Sequence, residues 1–413
     1  MQRRTLIKAA ALGAGAVAAG AARSFASPAV AFDSDDWVPA RAVPTILVGC
    51  GRQGRTILSE LADLGAAKIV AICDPVISRR RSALRRAPGA GEYDDLDAAL
   101  EAHPDAEVVI VATSSHRHAD PVVTALENQL AVYCEAPLAT TEADLQRVLE
   151  AEKGSFAQLH VGMQGRTNPL YAHARDFLRS GAIRDLVSFD AVHHDKQSWN
   201  APARDPKDFD ALNWRLDPAL SLGLAGEWGV HQFDVFHWFL GEYPTAVRGR
   251  GSIQLHKDGR KVFDTVHLEL DYPGDRVLTW EGTLANSFGK RAEVFCGTAG
   301  TIRLAQDAGW LFKESDAPTL GFEVYAGREH FHDEEGITLV VDATKLAAQE
   351  RLKEGVGLQR SPLTFALEDF YKGLEAGTDA TVTGDEGARA VRVAIAACQA
   401  VRTGERVEID VGE

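Results

Sequence analysis

The sequence is poor in the residues that would staple a chain or anchor it to a charged surface. Five cysteines in 413 residues (Cys50, Cys73, Cys134, Cys296 and Cys398) are odd in number and scattered, mostly through apolar runs. That excludes a disulfide framework and leaves buried thiols as the expectation, with no metal-binding spacing among them. Basic charge is scarce too. With 44 Lys and Arg against 59 Asp and Glu the net charge is −15, and neither nucleic acid nor an anionic membrane surface suits a chain without a basic excess. A small substrate fits better. Proline is modest at 16 residues beside 37 Gly, and 45% of positions are hydrophobic, which excludes collagen-like and disordered classes and predicts a sizeable core. At 413 residues the chain exceeds the roughly 250 to 300 that one core serves, so two domains are expected.

Residues 1–26 contain Arg3, Arg4, Lys8 and Arg23, no acid, and an apolar Ala9–Ala22 stretch too short and too Ala/Gly-rich to span a bilayer. Ser24 and Ala26 supply the small residues of a cleavage site before Ser27. The run QRRTLIK at 2–8 resembles a twin-arginine export signal, whose machinery carries folded proteins across the bacterial inner membrane. A periplasmic or secreted protein is the expectation, without stable membrane association.

From Thr45 to about Val161, short β-branched runs alternate with helix-period segments, the pattern of a parallel sheet covered on both faces. Strands are predicted at 45–49, 68–73, 107–113, 131–134 and 158–161. Between the first two, Ile57, Leu58, Leu61 and Leu64 recur at helical spacing, and Gly65 stops that helix. Further on, helices over about 169–180 and 228–240 bracket an irregular stretch from Ser198 to Ala219. Alternating runs near 246–256, 262–271, 276–285, 291–296 and 300–304 then predict an open, mostly antiparallel sheet, and Ser361–Thr403 returns to helical periodicity. The fold class expected is α/β, with an N-terminal Rossmann dinucleotide-binding domain (43–162) after a signal segment (1–26) and linker (27–42). A C-terminal α+β substrate domain (163–360) follows, then helices and a tail (361–413) packed on the first domain.

GCGRQG at 49–54 follows a strand and opens a helix, so each glycine has a task. Gly49 permits the tight turn, Gly51 lets backbone approach a pyrophosphate, and Gly54 lets helix and strand pack closely. Arg52 and Gln53 complete the cofactor-binding turn. Asp74 lies 20 residues beyond Gly54 at the end of the second strand, where a carboxylate accepts from both ribose hydroxyls of NAD and repels the 2′-phosphate of NADP. Arg79, Arg80 and Arg81 just beyond it keep NADP open as the alternative.

These motifs, with AICDP at 71–75, ATSSHRHADPVVTALENQLAVYCEAPLA at 112–139, VGMQGRTNP at 161–169, GEWGVHQFDVFHWFLG at 226–241 and FCGTAGTIRL at 295–304, resemble the Gfo/Idh/MocA sugar oxidoreductases. HHDKQSW at 193–199 is most similar to the exported, twin-arginine branch. The resemblance implies that Thr113, Ser114 and His118 line the nicotinamide side of the cofactor, with Glu135 and Pro137 keeping the outer letters of a Glu-Lys-Pro signature. Its middle letter here is Ala136, which has no proton or charge to offer. His231 stands at the family's general base, with an ordinary pKa near 6.5 suited to deprotonating a sugar hydroxyl, and Glu227 four residues earlier would orient its ring. Lys196, beside His193, His194 and Asp195, is a candidate substitute proton donor or substrate clamp; as a metal site the cluster lacks partner spacing. Trp199 and Trp214 are candidate sugar platforms.

The function expected from this resemblance is an exported NAD(P)-dependent oxidoreductase acting on CH–OH groups of a sugar, glycoside or polyol. Outside the cytoplasm its cofactor would be tightly held. Ala136 keeps two alternatives: an NAD-dependent glycoside hydrolase working by transient oxidation and elimination, and a non-catalytic sugar binder that holds cofactor. A homo-oligomer is implied by the family alone.

Overall fold

The computed structural model describes residues 37–203, 205–319, 323, 326–331, 334–341, 346 and 356–412. The signal segment 1–26, its cleavage site and most of the 27–42 linker lie outside the described residues.

The first half is built as β1 (Val43–Val48), α1 (Arg52–Leu64), β2 (Ala67–Cys73), α2 (Ile77–Leu84), β3 (Gly91–Tyr93), α3 (Leu96–Ala102), β4 (Val108–Val111), α4 (Ala119–Glu127), β5 (Ala131–Glu135), α5 (Glu142–Gly154) and β6 (Leu159–Gly162). All its strand pairs are parallel, in the order β3-β2-β1-β4-β5-β6. That is the doubly wound order, whose strand sequence reverses between β1 and β4 and opens a crevice at their carboxyl ends. Successive residues of these strands enter two different cores. Ile46, Val48, Val109, Val111 and Val132 pack on one face; Leu47, Val108, Ile110 and Tyr133 pack with Ile57, Leu58 and Leu61 on the other. Burial on both faces is why the strands are unbroken apolar runs. Each fully buried Leu, Ile or Val contributes about 1.5–3 kcal/mol, against the chain entropy lost on folding.

The second half begins with α6 (Pro169–Arg179) and β7 (Leu186–His194), then α7 (Phe209–Asn213), a π-helical turn at Ala225–Gly229 and α8 (Val230–Leu240). Next come β8 (Ala246–Ser252), β9 (Thr265–Tyr272), β10 (Arg276–Thr283), β11 (Arg291–Gly297), β12 (Gly300–Ala305), β13 (Ala308–Lys313), β14 (Arg328–Phe331) and β15 (Glu334–Thr338). The chain closes with α9 (Pro362–Ala376), α10 (Gly384–Thr403) and β16 (Val407–Glu408). A ten-stranded sheet runs β14-β15-β13-β12-β11-β7-β10-β9-β8-β16. Its pairs are antiparallel except β7 with β10, so the mostly antiparallel expectation holds.

Three predictions need correction. The sequence reading missed β3, β14, β15 and β16, which are short or polar, and also β7 and the apolar β13. Only part of the 361–413 segment caps the first domain. Helix α9 packs on α1, with Tyr371 Oη 2.9 Å from Thr45 Oγ1 and the Thr364 hydroxyl donating to Glu60. Helix α10 instead lies across β8 and α8 as well as α5 and β6, and β16 joins the second sheet at β8. Finally, Trp214 is 5% exposed and belongs to the interior, so it cannot present a sugar platform.

Candidate active site

The turn after β1 is shaped by contacts that tolerate no side chain. Gly49 has φ +100°, and a Cβ there would meet the Ala112 carbonyl at 2.4 Å; a Cβ on Gly54 would meet the Gly49 carbonyl oxygen at 1.9 Å. Gly51 is different, because a Cβ there would meet nothing within 4 Å. Its missing side chain leaves open space at the start of α1, where backbone N–H groups point outward and favour a pyrophosphate. Asp74, 4% exposed, holds the turn from the end of β2: Oδ2 accepts from the Cys50 amide at 2.9 Å and Oδ1 from the Val76 amide at 2.8 Å. Each oxygen keeps a second lone pair for a ribose hydroxyl. Arg79 reaches to 4.0 Å of the Asp74 carboxylate, Arg80 pairs with Asp94, and Arg81 is exposed. The cradle therefore fits a dinucleotide, with its ribose end bearing an anion.

At the far edge of the same crevice Gln53 Nε2 donates to Glu135 Oε1 at 3.1 Å. Burial pushes the Glu135 carboxyl up to about 7. Arg52 is exposed on the first turn of α1. Thr113 and Ser114 are half-buried just past β4. His118 departs from its expected role. It is 2% exposed, and its Nδ1 donates to the Pro137 carbonyl at 2.7 Å, so it ties the β4 loop to the β5 loop and does not face a ligand. Burial lowers its pKa to about 4 and keeps the ring neutral. Ala136 is half-buried between Glu135 and the buried Pro137.

On the opposite wall α8 carries His231, half-buried, with its pKa lowered to about 3 first by burial and then by the positive charge of Arg291. Its neighbour Gln232 fixes the rotation of the helix. Gln232 Nε2 donates to Glu293 Oε1 at 2.9 Å and to the Val192 and Ala292 carbonyls at 3.2 and 3.1 Å, while its Oε1 accepts from Trp280 Nε1 at 2.7 Å. A second bolt is Arg166, whose Nη2 donates to Asp234 at 2.7 Å. His193 on β7 is near enough for its protonation to feel His231, and it stacks on Trp228 with centroids 4.0 Å apart; Trp199 meets Trp228 edge-on at 5.8 Å. His193, Trp228 and Trp199 thus form an aromatic wall beside the start of α8.

Glu227 does not orient His231. It lies in the π-helical turn, where the 3.6-residue register is interrupted. Its Oε2 accepts from Arg215 Nε at 3.1 Å and from Ser115 Oγ at 3.3 Å. The Ser115 bond joins the turn that leads into α8 to the loop just past β4, and His231 is the second residue of α8. Burial raises the Glu227 pKa, and Arg215 opposes that rise. Lys196 is exposed, its only described bond being from its backbone amide to Ser287 Oγ, so it joins neither His231 nor Glu227. Sequence reasoning missed Arg215 and Ser115.

Comparisons with known proteins agree with this fold. Residues 44–163 match the description "Oxidoreductase family, NAD-binding Rossmann fold" and residues 176–409 match "Oxidoreductase family, C-terminal alpha/beta domain". Inositol 2-dehydrogenase of Salmonella typhimurium (strain LT2) is 32% identical over 199 residues, 48% of this chain and 54% of that one. The chain thus spans about half the length of such curated relatives. The Acidothermus cellulolyticus inositol 2-dehydrogenase is 29% identical over 271 residues, 65% of this chain and 74% of that one. Levoglucosan dehydrogenase in complex with NADH superposes with a TM-score of 0.71 at 20% identity, covering 90% of this chain and 100% of that one. Aldose-aldose oxidoreductase from Caulobacter crescentus gives 0.69 at 18%, covering 89% and 100%. The chain belongs to the Gfo/Idh/MocA oxidoreductase family, with an NAD-binding Rossmann domain followed by the family's C-terminal α/β domain.

Proposed function

We propose that this protein oxidises or reduces a CH–OH group of a sugar or polyol, using NAD held in the crevice between Gly51, Asp74 and Glu135, with His231 as general base. The observation that carries the proposal is the Ser115–Glu227 bond, which joins the turn leading into α8, where His231 stands, to the loop just past β4. When bound, the nicotinamide supplies the acceptor or donor of hydride. The chain does the rest. His231, neutral above about pH 3, takes the hydroxyl proton, and Gln232 and Asp234 hold its helix against both neighbouring layers. Trp199 and Trp228 offer apolar faces to a sugar ring. The names of the similar dehydrogenases, which concern inositol and levoglucosan, support a polyhydroxylated substrate.

Purified protein mixed with NAD and a polyol panel should gain absorbance at the reduced-nicotinamide band, and His231→Gln should remove the gain. Ala136 favours a second reading, glycoside cleavage through transient oxidation, because position 136 has no proton to give. Release of a chromogenic aglycone without reduced-nicotinamide accumulation identifies it.

We also infer export through the twin-arginine pathway, supported by QRRTLIK at 2–8. Replacing Arg3 and Arg4 with Lys should retain the protein in the cytoplasm on cell fractionation. A homo-oligomer is proposed from family analogy, and light-scattering mass is its test.

A further inference from the structure

Arg215 is used neither by the family motifs quoted above nor by the proposed proton transfer. Its guanidinium is pinned at one edge and stacked on one face. Nε donates to Glu227 at 3.1 Å, and the plane lies over Trp214 at 4.4 Å, with Trp199 at 5.9 Å. The side chain is nonetheless 43% exposed, and among the described residues Nη1 and Nη2 have no protein partner. Asp217, two residues on, spends its Oδ1 on the Ala219 amide. The free edge is therefore a planar fork, preorganised by its neighbours, beside the half-buried Trp199 of the aromatic wall. Its position follows from two links. Glu227 also holds Ser115, just past β4, and the Arg215 charge is felt at His118, whose ring binds Pro137 next to Ala136. Nearby Arg291 is committed to Glu293 at 3.0 Å.

We propose that Arg215 is a specificity-determining residue whose open Nη1/Nη2 fork binds the carboxylate of a sugar acid, a uronate or aldonate, while His231 addresses a hydroxyl elsewhere on the same molecule. A carboxylate presents two oxygens in the spacing that a guanidinium fork matches, and a single hydroxyl does not. Glu227 and Trp214 are positioning groups for the fork. This inference deepens the proposed oxidoreductase function and rests on it for the identity of the reacting group.

The test uses the full-length mature protein with NAD and matched pairs such as glucose with glucuronate and glucose with gluconate. Two readouts are taken: the KM and kcat of nicotinamide reduction, and the intrinsic fluorescence of the seven tryptophans, Trp199 and Trp214 among them, which needs no turnover. The acidic partner should bind on the order of 10- to 100-fold more tightly than the neutral one. Arg215→Gln should abolish that preference chiefly through KM, Arg215→Lys should retain only part of it because the charge stays and the fork goes, and NADH affinity should hold in both. An equal or neutral-favouring wild type, or a preference that survives Arg215→Gln, overturns the proposal. Carboxylate-dependent quenching that Arg215→Gln abolishes, without reduction of any sugar, supports the fork while the oxidoreductase reading fails.

Discussion

Glu227 turns its carboxylate toward Arg215 and Ser115, with Oε2 accepting from Arg215 Nε at 3.1 Å and Ser115 Oγ at 3.3 Å, although it is only four residues from His231. The two residues consequently separate in function. One organises the substrate-side cation and the seam between the halves, and the other moves a proton. Glu227→Gln should lower kcat/KM by about 10- to 100-fold, the cost of losing a charge-assisted contact at a buried site. The pH dependence of kcat/KM above about pH 6.5, where the fold is intact, should match that of wild type. An ionisation that appears or moves in that range would mean that Glu227 acts on the imidazole after all.

The glycine turn gives a paired prediction. Gly54→Ala forces a Cβ toward a backbone oxygen 1.9 Å away that cannot swing aside, so it should destabilise the fold by about 1–3 kcal/mol or more and weaken NADH binding. Gly51→Ala meets open space and should leave the melting temperature near wild type while NADH affinity falls at least tenfold, because the methyl occupies the pyrophosphate approach. Thermal melts and NADH fluorescence titration of the two variants check this. Equal effects of both on stability would contradict it.

Acid should unfold the protein through its histidines. Burial lowers His118, His160 and His237 to about 4 and His231 to about 3. In the unfolded chain each takes a proton near 6.5, so the folded state binds fewer protons between those values. The contribution of neutral burial is fully present above pH 6.5 and is lost as pH falls toward 4. Melting temperatures measured from pH 8 to pH 4.5 should decline below about 6.5, and His160→Phe, which removes a buried ring whose nitrogens have no hydrogen-bond partner among the described residues, should flatten part of that decline. A variant curve parallel to wild type would refute the assignment to His160.

The buried ion network of Arg166 with Asp234 and Glu386 holds α8 against α10. Asp234→Asn leaves the guanidinium short of one charge at a site that is 1% exposed, and a loss of about 3–5 kcal/mol is expected by urea unfolding. NADH affinity measured below the transition should be unchanged, since the nucleotide cradle lies in the other layer.

Much of this organisation is legible in the sequence because its causes are local. The strand runs around Ile46, Val109 and Val132 are apolar on both faces, Gly49 is required by its positive φ, and Gly54 by the Gly49 carbonyl within the same turn. What escapes is set by tertiary contact. Nothing in NWRLDP tells that Arg215 will meet Glu227 and that Trp214 will be interior. His118 looks like a ligand-facing residue until the Pro137 carbonyl is found 2.7 Å from its ring. The spacing of Glu227 and His231 suggests one helical face, and the π-helical turn at 225–229 breaks that register. Lys196 is a sequence candidate to replace the missing signature lysine because it sits beside His193, His194 and Asp195, yet β7 ends before it and leaves its side chain exposed.

The most direct test is the absorbance of the reduced nicotinamide band when wild-type and His231→Gln proteins, each loaded with NAD to the same occupancy, meet a panel of polyols and sugar acids. The expected result is a signal from at least one substrate in the wild type and a rate lower by about 10²- to 10⁴-fold in the variant, with NADH affinity equal in both. A His231→Gln protein as fast as wild type, or a wild-type protein that holds NAD and stays silent toward every sugar, would contradict the assignment of His231 as the base of a sugar oxidoreductase.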